Sequence, residues 1–340
     1  VSADGLPARV PAGRQDLPRN RAGEALSFWT DMQKLLSPEE IAVSASGEGS
    51  TNRLPAARVF ADRAARLRTL AEGHAMGDFL LFAARLAQAQ QTLLDRRPPA
   101  APPDSAWLGR CRQHGMPPLD AQGAPLPADW RDVLLALAAE AAPHAPAGLQ
   151  QAVGELRAVP AARIEALARA ILRADEQLAD PLELALAPLA GAALQVLWTA
   201  RALALQPGDL PAGFEDSLCP ACGSHPVASI VRIGDAGHGV RYATCSLCAC
   251  EWHVTRIKCV PCHNTRGIAY LNLEGGAGAL HPAVKAETCP ECRGSLKIVS
   301  MEKDPMADAF ADDLATLALD MLVDEAGFHR AGRNLFLFMP

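Results

Sequence analysis

The chain has 340 residues, 49% of them hydrophobic and 21% charged, enough to bury a large core in two or three domains. A net charge of −6 gives the whole chain no attraction to nucleic acid or anionic lipid. Only 5% of residues are aromatic whereas alanine and leucine abound, which favours helices outside the cysteine-rich part.

Residues 1–54 are rich in Pro, Gly, Arg and Ser and read as a largely mobile extension, with a short helix expected only over 25–36. No apolar run of signal-peptide length follows the opening residues. The thiols are therefore expected in a reducing cytoplasm, where metal binding outcompetes disulfide formation.

Residues 55–210 read as a helical domain. Val59, Phe60, Leu67 and Leu70 recur at helical spacing, and Gly77-Asp78 starts a second helix carrying Phe79, Phe82, Leu86 and Leu93. The proline-rich stretch 96–104 is a linker or surface loop. A third helix follows Pro127 with Trp130, Val133, Leu134 and Leu137, and a fourth runs from about Pro160 through Ile164, Leu167, Ile171 and Leu172. The most apolar run, 182–205, approaches membrane-spanning length but contains Glu183, Pro188, Gln195 and Arg201. It reads as the buried central helix of a bundle rather than as a membrane insertion. Gln206-Pro207-Gly208 ends it.

Eight of the ten cysteines then form four Cys-x-x-Cys pairs: Cys219/Cys222, Cys245/Cys248, Cys259/Cys262 and Cys289/Cys292. Two intervening residues let both sulfurs of a pair turn toward one point while backbone N–H groups face them. Two such knuckles supply the four thiolates of a closed tetrahedral zinc or iron site. Between Cys222 and Cys245 the pattern is strand, Gly-rich turn, strand, and it repeats between Cys262 and Cys289. Each hairpin returns the chain to its start, so the first knuckle is expected beside the second and the third beside the fourth. A cross-braced arrangement, with the first and third knuckles sharing an ion, is the alternative. Two tandem rubredoxin-like or zinc-ribbon modules result, 211–256 and 257–304, with two ions per chain, iron or zinc.

In the remaining 305–340, Asp304-Pro305 looks like a helix start. Phe310, Leu314, Leu317 and Met321 follow at helical spacing, and Gly327 closes the helix. Asp308, Asp312, Asp313, Asp320 and Asp324 read as a solvated acidic face. The apolar tail 335–339 needs a packing partner. The fold class is thus α+β: a helical N-terminal domain, two metal modules and a C-terminal helix.

Cys111, Cys250, His253 and His263 are the other candidate ligands or reactive groups, but two sets of four cysteines are complete without them. No nucleophile motif, phosphate loop or dinucleotide fingerprint is present. Closed four-cysteine sites leave no open coordination position, which argues against an enzyme. Zinc ribbons can also read nucleic acid. Residues 211–304, however, hold nine Lys/Arg and nine Asp/Glu, and only Tyr242, Trp252 and Tyr270 as stacking candidates.

These motifs resemble the formate dehydrogenase accessory (formation) proteins. The resemblance is carried by Cys219-Pro-Ala-Cys-Gly-Ser224, Arg241-Tyr-Ala-Thr-Cys-Ser-Leu-Cys248, Glu251-Trp-His253, Lys258-Cys-Val-Pro-Cys262 and Val284-Lys-Ala-Glu-Thr-Cys-Pro-Glu-Cys292. Ala311-Asp-Asp-Leu-Ala315 and Asn334-Leu-Phe-Leu-Phe338 match as well, as do Gly77-Asp-Phe-Leu80 and Ala87-Gln-Ala-Gln90. It covers the chain from about Pro38 onward. The resemblance implies a cytoplasmic, non-catalytic protein needed to form active respiratory formate dehydrogenase, with the catalytic subunit of that enzyme as its partner. It also implies rubredoxin-type iron at the Cys-x-x-Cys motifs, with zinc as the common substitute. A redox role through Fe(II)/Fe(III) is the runner-up reading.

Overall fold

The computed structural model describes residues 52–174, 178–211, 217–234, 239–273 and 281–338. The expected helix over 25–36, nearly all of the predicted extension and the tips of both predicted hairpin turns lie outside them. The first part of the described chain runs through α1 (Val59–Ala71), α2 (Gly77–Arg96), α3 (Ser105–His114), α4 (Trp130–Ala141), α5 (Ala147–Leu156), α6 (Ala161–Leu172) and α7 (Pro181–Ala202). Apolar spacing predicts four of these, and a continuous apolar run predicts α7. Both miss α3 and α5, which bury only Leu108 and Cys111, and Ala152 and Leu156. Two buried positions per helix make too short a stripe to register as periodic.

Helix α7 is the axis of this part, and α2, α4, α5 and α6 all pack on it. Asp180 caps it, accepting from the N–H groups of Leu182 and Glu183 at 3.0 and 3.1 Å, and Pro181 occupies the first helical position. Among the described residues it alone is long and apolar enough to cross a membrane, yet 72% of its most apolar window is buried inside the protein. Burial on nearly every side explains an apolar run that shows no single hydrophobic face.

The cysteine-rich half forms one sheet. Its strands are β1 (Pro226–Val231), β2 (Arg241–Cys245), β3 (Glu251–His253), β4 (Ala269–Leu271), β5 (Val284–Thr288), β6 (Gly294–Ser300) and β7 (His329–Arg330). They are ordered β3-β2-β1-β6-β5-β4, with β7 on one end of β6. The β1/β2 and β4/β5 pairs are antiparallel, as the hairpin reading expects. The seam between the two halves is parallel, with Ser229, Ile230 and Val231 of β1 opposite Ile298, Val299 and Ser300 of β6.

A buried ion pair ties that seam together. Arg241 donates to Glu287 through Nη1 at 2.7 Å and Nη2 at 3.1 Å, and their side chains are 0% and 4% exposed. The Arg241 Nε donates to Ser229 Oγ at 3.0 Å, and Nη1 reaches the Arg256 carbonyl at 3.2 Å. The Tyr270 hydroxyl lies 3.1 Å from Glu287 Oε2. Both charges thus have their fork and lone pairs occupied, the condition under which burial is tolerable.

Two expectations for the C-terminal part are corrected. The single helix expected from Asp304-Pro305 is two, α8 (Ala309–Leu314) and α9 (Leu317–Glu325). Asp304 instead closes a turn by accepting from Met306 N–H at 3.0 Å and pairs with Arg66 at 2.7 Å. Asp308 is the actual cap, accepting from Phe310 and Ala311 N–H at 3.1 and 2.7 Å. Nor is the acidic face solvated throughout: Asp312 and Asp313 are both 0% exposed, Asp308 and Asp320 are half-buried, and Asp324 alone of the five is exposed. Arg66 of α1 grips Asp312 at 2.6 and 2.9 Å. Arg330 donates to Asp313 at 2.8 and 2.9 Å, and Lys297 Nζ lies 3.2 Å away. Burial works against the charge of Asp313, but Arg330 and Lys297 outweigh it and hold the carboxyl below its ordinary range. These cations come from remote segments, which local spacing cannot reveal.

The apolar tail finds its partner here. Leu335 and Phe336 are buried, the Phe336 ring packs edge-on against Phe310 with centroids 4.9 Å apart, and Asn334 Nδ2 donates to Asp313 Oδ2 at 3.0 Å.

Removing one member of the seam pair leaves a buried charge without its partner. Glu287→Ala is expected to cost about 3–5 kcal/mol, measured by denaturant unfolding of the metal-loaded protein, whereas Arg241→Met combined with Glu287→Leu recovers most of the loss. A single substitution that shifts the midpoint no further than an exposed control would contradict this.

Candidate metal centres

Each knuckle is built by the same backbone device. The N–H of the first cysteine donates to the carbonyl five residues on: Cys219 to Ser224, Cys245 to Cys250, Cys259 to Asn264 and Cys289 to Gly294, at 2.8 to 3.0 Å. The residue after the second cysteine takes positive φ in all four: Gly223 at 76°, Ala249 at 57°, His263 at 62° and Arg293 at 57°. Only Gly223 does so without a Cβ penalty.

The turns aim N–H groups at sulfur. Leu247 and Cys248 N–H lie 3.3 and 3.4 Å from Cys245 Sγ, and Gly294 N–H lies 3.4 Å from Cys292 Sγ. Asn264 adds a side-chain donor, Nδ2, at 3.5 Å from Cys289 Sγ.

The structure brings the eight paired cysteines into two groups, Cys219/Cys222/Cys245/Cys248 and Cys259/Cys262/Cys289/Cys292, with all sulfurs of a group within 4.8 Å of one another. Knuckles adjacent in sequence share a group, so the cross-braced alternative is not realised. The Cys219–Cys248 and Cys222–Cys245 sulfurs are 3.6 and 3.4 Å apart, and the Cys259–Cys292 and Cys262–Cys289 sulfurs 3.7 and 3.6 Å apart. These separations are far beyond a disulfide bond. They match the edges of a tetrahedron whose arms are about 2.3 Å, the zinc– or iron–thiolate length, so the donor set fits such an ion.

The remaining candidates fall outside both groups. Cys111 is buried in α3, and desolvation pushes its thiol up. Cys250 is buried beside the first group, where its thiol interacts with Cys219 and Cys248, and its carbonyl accepts from Cys245 N–H to close a knuckle. His263 is exposed at a positive-φ turn, and His253 packs edge-on against Tyr242 with centroids 6.4 Å apart.

Burial raises the cost of a thiolate at Cys219, but the surrounding thiols of Cys222, Cys245, Cys248 and Cys250 draw it well below an ordinary thiol. In the second group desolvation again opposes ionisation. The N–H groups of Cys292 and Glu291 and the amide of Asn264 nevertheless bring Cys289 down to about 6.

The helical part positions the first group. Trp198 Nε1 of α7 donates to the Leu119 carbonyl at 3.0 Å. Leu119 and Ala121 N–H in turn donate to the carbonyls of Ala221 and Cys222 at 2.8 and 2.9 Å. Gln195 of α7 accepts from Gln90 at 2.8 Å and donates to the Ser246 carbonyl at 2.7 Å. None of these supporting residues stands out in the sequence except Gln195, a polar interruption in an apolar helix. Arg241 gives a comparable signal, as the one charge in a strand otherwise built for burial, whereas Glu287 shares its strand with the exposed Lys285 and gives none.

Comparison with known proteins follows the same division. The family descriptions "FdhE, N-terminal", "FdhE, central domain" and "FdhE, C-terminal domain" match residues 51–213, 218–256 and 257–337. A protein described as "Protein FdhE homolog" from Pseudomonas aeruginosa is 45% identical over 309 residues, covering 89% of this chain and 97% of that protein. The corresponding Stutzerimonas stutzeri protein is 41% identical over 304 residues, with the same coverages. The crystal structure of the FdhE protein from Pseudomonas aeruginosa superimposes with a TM-score of 0.74 at 43% identity, covering 84% of this chain and 98% of that one.

Elemental analysis and X-ray absorption are expected to find two ions per chain, each in a shell of four sulfurs at about 2.3 Å. His263→Gly is expected to keep both ions and to raise stability by up to about 1 kcal/mol, because it relieves the positive-φ penalty. Loss of an ion in that variant would make His263 a ligand.

Proposed function

This chain belongs to the FdhE family, and on that basis we propose that it is a non-catalytic maturation factor for respiratory formate dehydrogenase, binding the catalytic subunit of that enzyme in the cytoplasm. The observation that carries the reading is the pair of closed four-sulfur centres set in a frame that matches the family from residue 51 to residue 337. Four protein donors fill a tetrahedron and leave no position for a substrate or an activated water. In this reading Cys219, Cys222, Cys245 and Cys248 hold one ion, and Cys259, Cys262, Cys289 and Cys292 the other. Either rubredoxin-type iron or zinc suits them. Modules 211–256 and 257–304 supply the centres, 55–210 and 305–340 the frame around them, and 1–54 an extension.

Protein recognition suits the surface better than nucleic acid does. Tyr242 and Trp252 are fully buried, so neither can stack on a base. With the bound ions counted, thiolates add about −2 per centre to a balanced module charge. A second reading, electron transfer to the client through Fe(II)/Fe(III), draws support from the exposed Cys262 in the second centre. Metal identity separates the two, since zinc has no second oxidation state.

Deleting the gene is expected to abolish formate-dependent dye reduction by the respiratory enzyme while its catalytic polypeptide is still made. The purified protein should bind that polypeptide. Cys259→Ala with Cys262→Ala should fail to restore activity, and Cys111→Ser should restore it, at matched protein levels. Full activity in the deletion strain would refute the maturation role.

A further inference from the structure

The two centres have the same donors, the same turns and nearly the same sulfur separations, but opposite surroundings. In the first, all four cysteines are at most 1% exposed. The residues inside and just after its knuckles, Pro220, Ala221, Ser246, Leu247 and Ala249, are buried too. In the second, Cys259 and Cys289 are buried at 3% and 1%, whereas Cys262 is exposed and Cys292 half-exposed. Of the corresponding residues, Pro261, Pro290, Glu291 and Arg293 are exposed and Val260 is buried, and His263 is exposed where Gly223 is half-buried. Cys262 stands where Cys222 stands in the first centre, and Cys292 where Cys248 stands. The difference therefore comes from what packs outside each knuckle and not from the knuckle itself.

We propose that the second centre is an exchange site for a thiophilic divalent ion, opening through Cys262 and Cys292, while the first is a locked structural site. The proposal rests on the reading of both cysteine sets as metal centres. An incoming thiol or chelator can reach the exposed sulfurs and replace them one at a time while Cys259 and Cys289 still hold. Cys262 leaves as a thiolate that water can solvate and protonate, so no redox step is needed. In the first centre the same substitution requires the Leu119 and Ala121 hydrogen bonds to Ala221 and Cys222, and the Gln195 bond to Ser246, to break first. Release there is tied to local unfolding of the helical frame.

The test uses the full chain loaded with zinc alone and checked for two equivalents, then mixed with an excess of a chromogenic chelator. One equivalent should leave at least about tenfold faster than the other. Cys262→Ser should abolish or further speed the fast phase and leave the slow one unchanged. Iodoacetamide labelling of the loaded, unmodified chain, mapped by mass spectrometry, should modify Cys262 and Cys292 before Cys219, Cys222, Cys245 or Cys248. This second measurement does not depend on any variant folding. Two equivalents leaving in a single phase, or first-centre cysteines labelled as fast as Cys262, would overturn the exchange proposal alone. A reconstituted chain that binds fewer than two ions would overturn the metal-centre reading and this proposal with it.

Discussion

The Arg241–Glu287 pair in the middle of the sheet is the constraint on which the arrangement of the cysteine-rich half depends. Two full charges without water are tolerable only when their hydrogen-bonding positions are taken up. That requirement draws β2, β5, Ser229 of β1, the carbonyl of Arg256 and the hydroxyl of Tyr270 to one point. Arg241 opens the strand that ends at Cys245, and Glu287 precedes Cys289 by two residues. The same pair that closes the β1–β6 seam thus sets the spacing and orientation of both sulfur groups. Tandem modules joined by a loose linker would carry no such constraint.

The sheet places its two ends in different environments. The β1–β3 end lies against the helical part, where α7 reaches the first centre through Trp198 and Leu119 and through Gln195. The other end finishes at β4, whose three residues are all exposed, close to the solvent-facing knuckles of the second centre. Burial makes the first centre part of the core, so that an ion held there would stabilise the fold together with the packing. Exposure leaves the second centre available to whatever the protein meets.

The C-terminal segment joins the two parts a second time. Asp312 of α8 is held by Arg66 of α1, and Asp313 by Arg330 of β7 and Lys297 of β6. Two adjacent aspartates therefore bind the first described helix and the centre of the sheet at once, and Asn334 fastens the tail to the same carboxylate. A frame pinned in this way pre-organises the surface it presents, so little ordering entropy would be lost on any binding there.

Much of this was legible in the amino-acid order, because it follows from local periodicity and spacing. Helices α1, α2, α4 and α6 follow from apolar stripes, and α7 from a continuous apolar run. Two residues between cysteines make a knuckle, and a strand–turn–strand segment between knuckles brings adjacent ones together. Those are interactions among residues close in sequence, with the register of one turn or one hairpin to settle. The parallel β1–β6 seam, the burial of Asp312 and Asp313, the break between α8 and α9 and the unequal exposure of the two centres were decided only in the tertiary structure. Each depends on a partner far along the chain: Glu287 for Arg241, Arg66 for Asp312, Leu119 for Ala221. A cysteine pair has the same local geometry whether α7 or water lies beside it, so its spacing can specify the site but not which site faces solvent.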